Sequence, residues 1–319
     1  MERMAEVIKF VEKETSYKLG MANNPEFVPQ WIPFDIPPLD TILGGGFPLG
    51  RTSLIIGDFS AGKTFIAQKA IVSAQNQNRL TAFIDVEKCF DPGWFKLTGV
   101  DIDNLILSQP GTGEEALDIV IALIKAKVDL VIMDSIAALL PISEEEEGME
   151  HQFIAIQARL FNKGLRKITQ ANRMNTAFVA INQLREGIGG RFVDERLPAG
   201  RGQEFFSSII LRVRRGPFIK EKVGKIEKKI GFNMRLETVK NKLVAPYQSC
   251  ELPFLFEGGV LDVIAGLVQL GLDCGVIQQR QAYYEVDGNK VLGKQRLIDL
   301  LKDNLDLQEI IKNKIQEVK

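Results

Sequence analysis

A glycine-rich run carries the clearest chemical signal in the sequence. It consists of Gly57, Asp58, Phe59, Ser60, Ala61, Gly62, Lys63 and Thr64, with Phe65 next in the chain. Glycines at both ends let successive backbone N–H groups turn toward phosphate oxygens, and a following helix adds its partly positive N-terminus. Lys63 would reach the β- and γ-phosphates, and the Thr64 hydroxyl would bind Mg²⁺. The run predicts an ATP site between a strand and a helix.

Two acidic residues end other apolar stretches. Asp134 closes residues 130–134, where a carboxylate partner of Mg²⁺ is expected if that strand neighbours the phosphate-binding strand. Taken alone, an aspartate at this place is more often a helix cap. Glu87 follows the apolar residues 83–84 and could activate a water as general base. From spacing alone, a solvated loop glutamate explains this position equally well.

A second glycine pair imitates a dinucleotide-binding fingerprint. Gly111 and Gly113 are separated by one residue and precede a helical pattern. However, the pair follows Pro110, and no acidic residue closes a following strand at the expected distance. The segment therefore predicts a turn and a helix cap rather than a second nucleotide site.

These residues need a sheet to bring them together, and the hydropathy pattern predicts one. Helical stretches separate the first four of the apolar runs. Buried strands that alternate with crossover helices predict an α/β fold with a parallel, doubly wound sheet. The last two runs have no helix between them, so residues 214–231 are predicted to connect antiparallel strands. The apolar runs are 53–56, 82–85, 130–134, 177–182, 208–213 and 234–239, and the helical stretches are 63–75, 114–125 and 154–171.

Three regions are predicted along the chain. Residues 1–35 form an N-terminal helix, ended by Gly20, and an extended linker over the proline-rich stretch 21–38. Residues 36–257 form the ATPase core. Residues 258–319, with a helix, a hairpin around Asp287-Gly288 and a final helical stretch, form a small α/β C-terminal domain.

Composition narrows the class of protein further. The 319 residues are 45% hydrophobic and 25% charged, which is typical of a soluble globular protein. A net charge of −1 gives no global attraction for nucleic acid, so a polyanion site must be local. Three dispersed cysteines and one histidine argue against zinc and favour a reducing compartment. No apolar run reaches membrane-spanning length, so a cytoplasmic protein that does not enter membranes is expected.

Longer motifs identify a family. In order and spacing they closely resemble the bacterial RecA recombinases over about residues 35–257. The resemblance implies an ATPase that forms helical filaments on single-stranded DNA and exchanges strands with homologous duplex DNA. The motifs are Phe-Ile-Asp-Val-Glu at 83–87, Ser-Gln-Pro at 108–110, Asp-Ser-Ile-Ala-Ala-Leu at 134–139, Ile-Asn-Gln at 181–183 and Val-Lys-Asn-Lys-Leu-Val-Ala-Pro at 239–246.

The same resemblance implies roles for residues around the nucleotide. Glu87 resembles the water-activating glutamate, and Gln183 resembles the glutamine that senses the γ-phosphate. Asp91 and Trp94 lie where the family holds adenine, by a hydrogen bond and by an aromatic face. Phe256 lies at another adenine-flanking position, which the adjacent subunit supplies.

A pair of lysines is implied to act between subunits. Lys240 and Lys242 are two positions apart at a strand end, so their side chains point to the same side. On the sequence alone, a solvated basic edge is the plainer explanation. The resemblance implies instead that the pair reaches the γ-phosphate of a neighbour's ATP, where it would neutralise developing charge as an arginine finger does.

Two segments resemble the DNA-binding loops of the family. The first, residues 143–155, leads into a helix on which Arg159 and Arg166 share one face, although both could be ordinary surface arginines. The second, residues 184–204, has as many acidic as basic side chains, so its charge gives no support. The basic stretch 212–242 could guide duplex DNA or protect a sheet edge. The candidate DNA contacts in the second loop are Arg185, Arg191, Phe192, Arg196 and Arg201.

Two other functions share the same core. One is a recombination mediator that binds ATP without strand exchange of its own, and the other is a hexameric helicase motor. Glu204 departs from the family, which usually places a basic residue at this position near the subunit interface. This departure puts the inter-subunit contacts in doubt.

Overall fold

The computed structural model describes residues 2–17, 19–24, 28–142, 154–186, 195–200, 202–223 and 226–318. Its internal contacts divide the chain into two units, Met1–Gln30 and Trp31–Lys319. The first unit contains helix α1 (Glu2–Thr15). This helix ends at Thr15 rather than at Gly20, because Ser16 adopts a left-handed backbone conformation with φ of 59°.

The second unit is built on β-strands. Each strand that the hydropathy pattern predicts is present, and β5 and β12 are the longest of the additional strands in the largest sheet. Both are harder to detect, since β5 is short and partly exposed and β12 contains a proline. The strands are β1 (Trp31–Ile32), β2 (Phe47–Pro48), β3 (Thr52–Gly57), β4 (Thr81–Asp85), β5 (Leu105–Ser108), β6 (Leu130–Asp134), β7 (Ala177–Gln183), β8 (Arg185–Glu186), β9 (Glu195–Arg196), β10 (Ser207–Val223), β11 (Ile226–Asn241), β12 (Ser249–Leu255), β13 (Val260–Leu261), β14 (Gln278–Arg280), β15 (Tyr283–Val286) and β16 (Asn289–Leu292).

Helices connect and cover these strands. The three predicted crossover helices are confirmed as α3, α5 and α6. Among the residues that the structure describes, no helix is both long and apolar enough to cross a membrane. The helices of the second unit are α2 (Pro37–Leu43), α3 (Lys63–Asn76), α4 (Pro92–Leu97), α5 (Gly113–Lys125), α6 (Ile154–Ala171), α7 (Gly202–Phe206), α8 (Val263–Asp273), α9 (Lys294–Lys302) and α10 (Leu305–Glu317).

One large sheet organises the second unit. Its order over the described strands is β13-β12-β11-β10-β3-β7-β6-β4-β5. Strands β10, β3, β7, β6, β4 and β5 run parallel, whereas β11 pairs antiparallel with β10, β12 with β11 and β13 with β12. The predicted α/β fold with a doubly wound, mostly parallel sheet is therefore confirmed, as is its antiparallel ending.

Both faces of this sheet are covered. Leu54 and Ile56 of β3 pack on one face with Phe161 of α6, whereas Ile55 packs on the other face with Ile66 of α3. Successive residues of a strand alternate between faces. Because neither face of the inner strands β3, β4 and β6 meets water, these strands read as continuous apolar runs.

The predicted linker is wrong over its second half. Residues 21–38 were expected to be extended and unpacked, but Ile32, Phe34 and Ile36 are buried in the core. Asp40 of α2 accepts hydrogen bonds from the backbone N–H groups of Phe34 at 2.7 Å and Ile36 at 3.1 Å. Burial raises the pKa of this carboxyl group to about 6. Alternating apolar residues and a carboxylate bound to the backbone fold this stretch onto the sheet despite its prolines.

Residues 214–231 join antiparallel strands as predicted, but the predicted strands 208–213 and 234–239 are too short, because β10 and β11 extend into this stretch as a long antiparallel ribbon. Phe218 pairs with Phe232 across the ribbon. The Arg215 guanidinium lies 5.3 Å and the Lys229 ammonium 4.1 Å from the centre of the Phe218 ring. These cations over an aromatic face stabilise the paired strands. From the sequence alone, the stretch was recognised only as basic.

The C-terminal segment has a hydrophobic cluster of its own. Helices α8, α9 and α10 pack around residues such as Leu267, Leu297 and Ile311. The predicted hairpin at Asp287-Gly288 is confirmed, since β15 and β16 pair on either side of it. A domain boundary at residue 258 remains a prediction, because this segment belongs to the same compact unit as the sheet.

Helix α3 contains a polar side chain whose replacement should stabilise the protein. Gln68 is fully buried, and neither polar atom of its amide has a hydrogen-bond partner in the part of the chain that the structure describes. We expect Gln68→Leu to raise the free energy of unfolding by about 1–2 kcal/mol, because it removes the cost of burying an unpaired amide. Chemical denaturation measures this change.

Gln75 on the same helix is the matched control. Its amide donates to the Asp101 carbonyl at 2.8 Å and accepts from the Asp101 N–H at 3.0 Å. Gln75→Leu should therefore lower the free energy of unfolding by about 1 kcal/mol. Equal losses of stability in both variants would contradict our account of Gln68.

Candidate active site

The carboxyl ends of four parallel strands meet at one edge of the sheet. Gly57 of β3 pairs with Gln183 of β7, and Asp85 of β4 pairs with Asp134 of β6. The strand order β3-β7-β6-β4 therefore places the glycine-rich turn, a glutamine and two carboxylates side by side. In open α/β sheets, this edge is where ligands bind.

The glycine-rich turn has the geometry of a phosphate cradle. A Cβ on Gly57 would lie 2.1 Å from the Val213 carbonyl oxygen, so only glycine fits where the turn leaves the sheet. Gly62 has a φ of 98° and directly precedes α3. The Lys63 ammonium donates to the carbonyl oxygens of Gly57 at 3.0 Å and Asp58 at 2.7 Å. The predicted strand–loop–helix context is confirmed, with the lysine folded over the loop.

Thr64 and Asp134 form the candidate metal-binding pair. The Thr64 hydroxyl donates to Asp134 Oδ2 at 2.6 Å. Burial, with the negative charge of Glu87 as a smaller cause, raises the pKa of Asp134 to about 7, although the hydrogen bond from Thr64 acts to lower it. Burial also lowers the pKa of Lys63, whereas Asp134 and Glu87 oppose that change. A hydroxyl beside a buried carboxyl group supplies the kind of oxygen ligands that Mg²⁺ prefers.

Glu87 is held in place rather than solvated. Its Oε1 atom accepts from the Ser135 hydroxyl at 2.5 Å and from the Gln183 amide at 3.0 Å. The backbone N–H groups of Val86 and Glu87 donate to the Asp134 carbonyl at 2.7 and 3.2 Å. The structure thus brings Glu87, Gln183 and Asp134 together. It adds Ser135, whose only signal in the sequence was its place after Asp134.

A second residue that sequence reasoning missed shapes the loop around Glu87. The buried Asp85 carboxylate accepts from the backbone N–H groups of Cys89 at 3.1 Å and Phe90 at 2.9 Å. It also accepts from the Gln109 amide at 2.7 Å. Residues 86–90 therefore turn around Asp85. A polar residue at the end of a buried strand was the available signal.

A cavity of about 540 Å³ opens beside the cradle. Aromatic rings from β11 and β12 form one wall, and the Phe65 and Phe254 ring centres are 4.8 Å apart. One part of the cavity is thus charged and the other apolar, as a nucleotide requires. Its lining residues include Phe59, Ser60, Ala61, Gly62, Lys63, Thr64, Phe65, Glu87, Trp94, Asp134, Gln183, Phe232, Phe254 and Phe256.

The residues predicted to hold the adenine base do not all lie in the cavity. Trp94 lines the cavity, whereas Asp91 caps α4 by accepting from the Trp94 N–H at 2.6 Å. A contact of Asp91 with adenine remains a prediction. Phe256 lines the cavity of its own chain, and its contact with the nucleotide of an adjacent subunit remains a prediction. Strand β12, which the sequence pattern did not reveal, returns Phe256 to this cavity.

The lysine pair lies away from this cavity. The Lys240 ammonium donates to the Glu204 carbonyl, and the Lys242 ammonium donates to the Phe205 carbonyl at 3.2 Å. Both side chains therefore reach helix α7, as expected for positions on one side of a strand end. Burial lowers the pKa of Lys240, and the positive charge of Lys242 lowers it further.

The candidate DNA contacts are only partly described. Arg159 and Arg166 are exposed on α6. The backbones of Arg185 and Arg196 pair across the short β8–β9 ribbon, which closes the base of the second loop. This loop ends before residue 204, because α7 begins at Gly202. Residues 143–153 of the first loop, with Arg191, Phe192 and Arg201 of the second, lie outside the described residues.

A phosphate cradle at the carboxyl edge of a doubly wound sheet defines a P-loop nucleotide-binding protein. A family model described as the RecA N-terminal domain matches residues 2–261. The chain belongs to the RecA family.

Individual relatives extend this match over most of the chain. Protein RecA of Mesomycoplasma hyopneumoniae is 41% identical over 284 residues, which cover 88% of this chain and 83% of that protein. Protein RecA of Streptomyces avermitilis is 38% identical over 319 residues, covering 98% and 83% respectively. Protein RecA of Frankia alni is 37% identical over 319 residues, covering 98% and 90%.

The left-handed glycine of the cradle offers a test of the site. We expect Gly62→Ala to weaken binding of a fluorescent nucleoside triphosphate about tenfold or more, because a side chain in this conformation is strained. Its Cβ would also lie 2.4 Å from the Met234 methyl group. Fluorescence titration measures the affinity.

Gly111→Ala is the control for this variant, since the nearest atom to its Cβ is Glu115 Oε2 at 3.5 Å. Its affinity should equal that of the wild type. Unchanged affinity in Gly62→Ala would mean that residues 57–64 do not cradle the phosphates.

Proposed function

We propose that this RecA-family recombinase hydrolyses ATP with Mg²⁺ and that DNA controls the hydrolysis. The chain assembles as a cytoplasmic helical filament on single-stranded DNA, which it pairs with homologous duplex DNA. The observation that carries the proposal is the Glu87 carboxylate, which faces the cavity of the phosphate cradle while bound to Gln183.

Each residue of the sheet edge has a role in the proposed hydrolysis. Lys63 and the N–H groups of the cradle bind the β- and γ-phosphates, and Thr64 with Asp134 would hold Mg²⁺. When bound, this ion would neutralise charge on the phosphate oxygens. Glu87 takes a proton from the attacking water as the bond from the γ-phosphorus to the bridging oxygen breaks and ADP leaves. Gln183 touches Glu87 and so reports the state of the γ-phosphate to the loop that follows.

A neighbouring chain completes the site in this proposal. Lys240 and Lys242 do not line the cavity of their own chain but project together from the end of β11. Two cations brought in from outside would stabilise charge that develops on the γ-phosphate during transfer. Hydrolysis would then depend on assembly, and assembly on DNA.

The proposed DNA surface combines arginines with the second loop. Arg159 and Arg166 are exposed and seven residues apart on α6, a spacing suited to successive phosphates. The β8–β9 ribbon anchors the second loop directly after Gln183. The basic β10–β11 ribbon is a further surface whose charge suits duplex DNA. The relatives favour neither the mediator nor the helicase alternative.

The assignment of the general base can be tested by one substitution. We expect Glu87→Gln to bind ATP with the affinity of the wild type and to lower kcat for hydrolysis by at least about 100-fold, since an amide cannot accept the proton. Glu285→Gln in the small C-terminal sheet is the control and should hydrolyse ATP normally. Wild-type turnover by Glu87→Gln in the presence of DNA would exclude this role.

The role of the lysine pair makes a separate prediction. Replacing Lys240 and Lys242 together with alanine should abolish the stimulation of hydrolysis by single-stranded DNA, while ATP binding is retained. Replacing Lys312 and Lys314 on α10 removes two cations in exposed ion pairs, which contribute little. This control should keep full stimulation. Stimulation that survives without Lys240 and Lys242 would exclude their action on the neighbouring site.

A further inference from the structure

A buried amide connects the end of the second loop to the sheet. Gln203 of α7 is fully buried. Its Nε2 atom donates to the carbonyl oxygens of Pro198 and, at 2.8 Å, Gly200. Its Oε1 atom accepts from the Asn182 amide at 2.8 Å. An amide that binds three partners in a buried position fixes their relative positions, because each lost hydrogen bond leaves an unpaired polar group.

The Asn182 side of this network leads to the candidate active site. Asn182 is buried in β7, and its amide also donates to the Pro198 carbonyl at 3.1 Å. Its Oδ1 atom accepts from the Gln183 N–H at 2.9 Å. Gln183 in turn donates to Glu87. Hydrogen bonds therefore run from the loop end at Pro198 to the carboxylate that faces the nucleotide cavity.

The other side of the network leads to the lysine pair. Gln203 precedes Glu204 and Phe205, whose carbonyl oxygens accept from Lys240 and Lys242. The Ser207 hydroxyl donates to the Gln203 carbonyl at 2.7 Å, which joins α7 to β10. A displacement of Gln203 would therefore move the helix that both lysines contact.

We propose that Gln203 is a positioning residue that couples the DNA loop to both halves of the ATPase site. It holds residues 198–200 against Asn182 and sets the position of α7. DNA bound to the loop thereby changes Gln183 and the Lys240 and Lys242 pair together. The inference rests on the proposed function, in which DNA stimulates hydrolysis.

The test uses Gln203→Met, which keeps the shape of the side chain and removes the three hydrogen bonds. Hydrolysis is measured with and without an oligothymidine single strand. We expect DNA-stimulated kcat to fall about tenfold, the size of a typical coupling between sites, with basal kcat and the KM for ATP unchanged. Gln308→Met is the matched control, because Gln308 is also buried and donates to the Leu301 carbonyl at 2.7 Å. It should lose stability without losing stimulation.

The outcomes separate this inference from the proposed function. A wild-type chain that DNA does not stimulate would overturn both. A stimulated wild type with an equally stimulated Gln203→Met would overturn the inference alone, as would basal and stimulated rates that fall by the same factor.

A second measurement needs no variant and applies even if Gln203→Met fails to fold. Hydrogen exchange in the wild-type chain should show protection of residues 182–184 and 202–207 rising together when oligothymidine and ATP are added. Protection of residues 182–184 without any change at 202–207 would overturn the coupling.

Discussion

The candidate site depends on one carboxylate oxygen that joins three strand ends. Glu87 follows β4, Ser135 follows β6, and Gln183 ends β7; the last two both donate to Glu87 Oε1. These groups meet only because β4, β6 and β7 are parallel and in register. A slip of one residue in any of these strands would turn its side chains to the opposite face and remove its contribution. The buried core thus determines the geometry of the chemistry.

The antiparallel part of the sheet adds an aromatic wall and a pair of lysines to the charged groups at the edge of the parallel part. Strands β11 and β12 supply the aromatic wall of the cavity, including Phe232 and Phe254. The end of β11 carries Lys240 and Lys242 away from that cavity. One extension of the sheet therefore lines this chain's cavity and presents the cations proposed for its neighbour. In the proposed function, this shared element links nucleotide binding to assembly.

Much of the fold could be predicted because its signals are local. The apolar runs, the crossover helices and the run 57–64 each occupy one short stretch of sequence. Two predictions were wrong for a different reason: the extended linker over residues 21–38 and the short strands on either side of residues 214–231. Ile32 and Phe34 are buried through partners distant in sequence, and Phe218 is paired with Phe232 and covered by Lys229. The linker was predicted from its prolines and the connection from its charged residues. Such local composition cannot reveal packing partners that are distant in the sequence.

The site was predicted less completely than the fold. Lys63 and Thr64 belong to a motif that contains its own chemistry, and the family resemblance singled out Glu87 and Gln183. Ser135, Asp85 and Gln203 act through hydrogen bonds to side chains 21 to 48 positions away or to loop backbone, so their residue types alone did not identify their partners. The place of Phe256 in the cavity of its own chain depends on how β12 returns to the sheet, which no local signal indicates.

The central claim is that Glu87 of one chain and the lysines of another act on the same ATP. Mixing two inactive variants tests it most directly: Glu87→Gln, which keeps both lysines, and the variant with Lys240 and Lys242 replaced by alanine, which keeps Glu87. In an equal mixture on single-stranded DNA, about one quarter of the head-to-tail interfaces would combine an intact Glu87 with intact lysines. The account predicts that DNA-stimulated hydrolysis returns to roughly that fraction of the wild-type rate. A mixture as inactive as its separate components would contradict it.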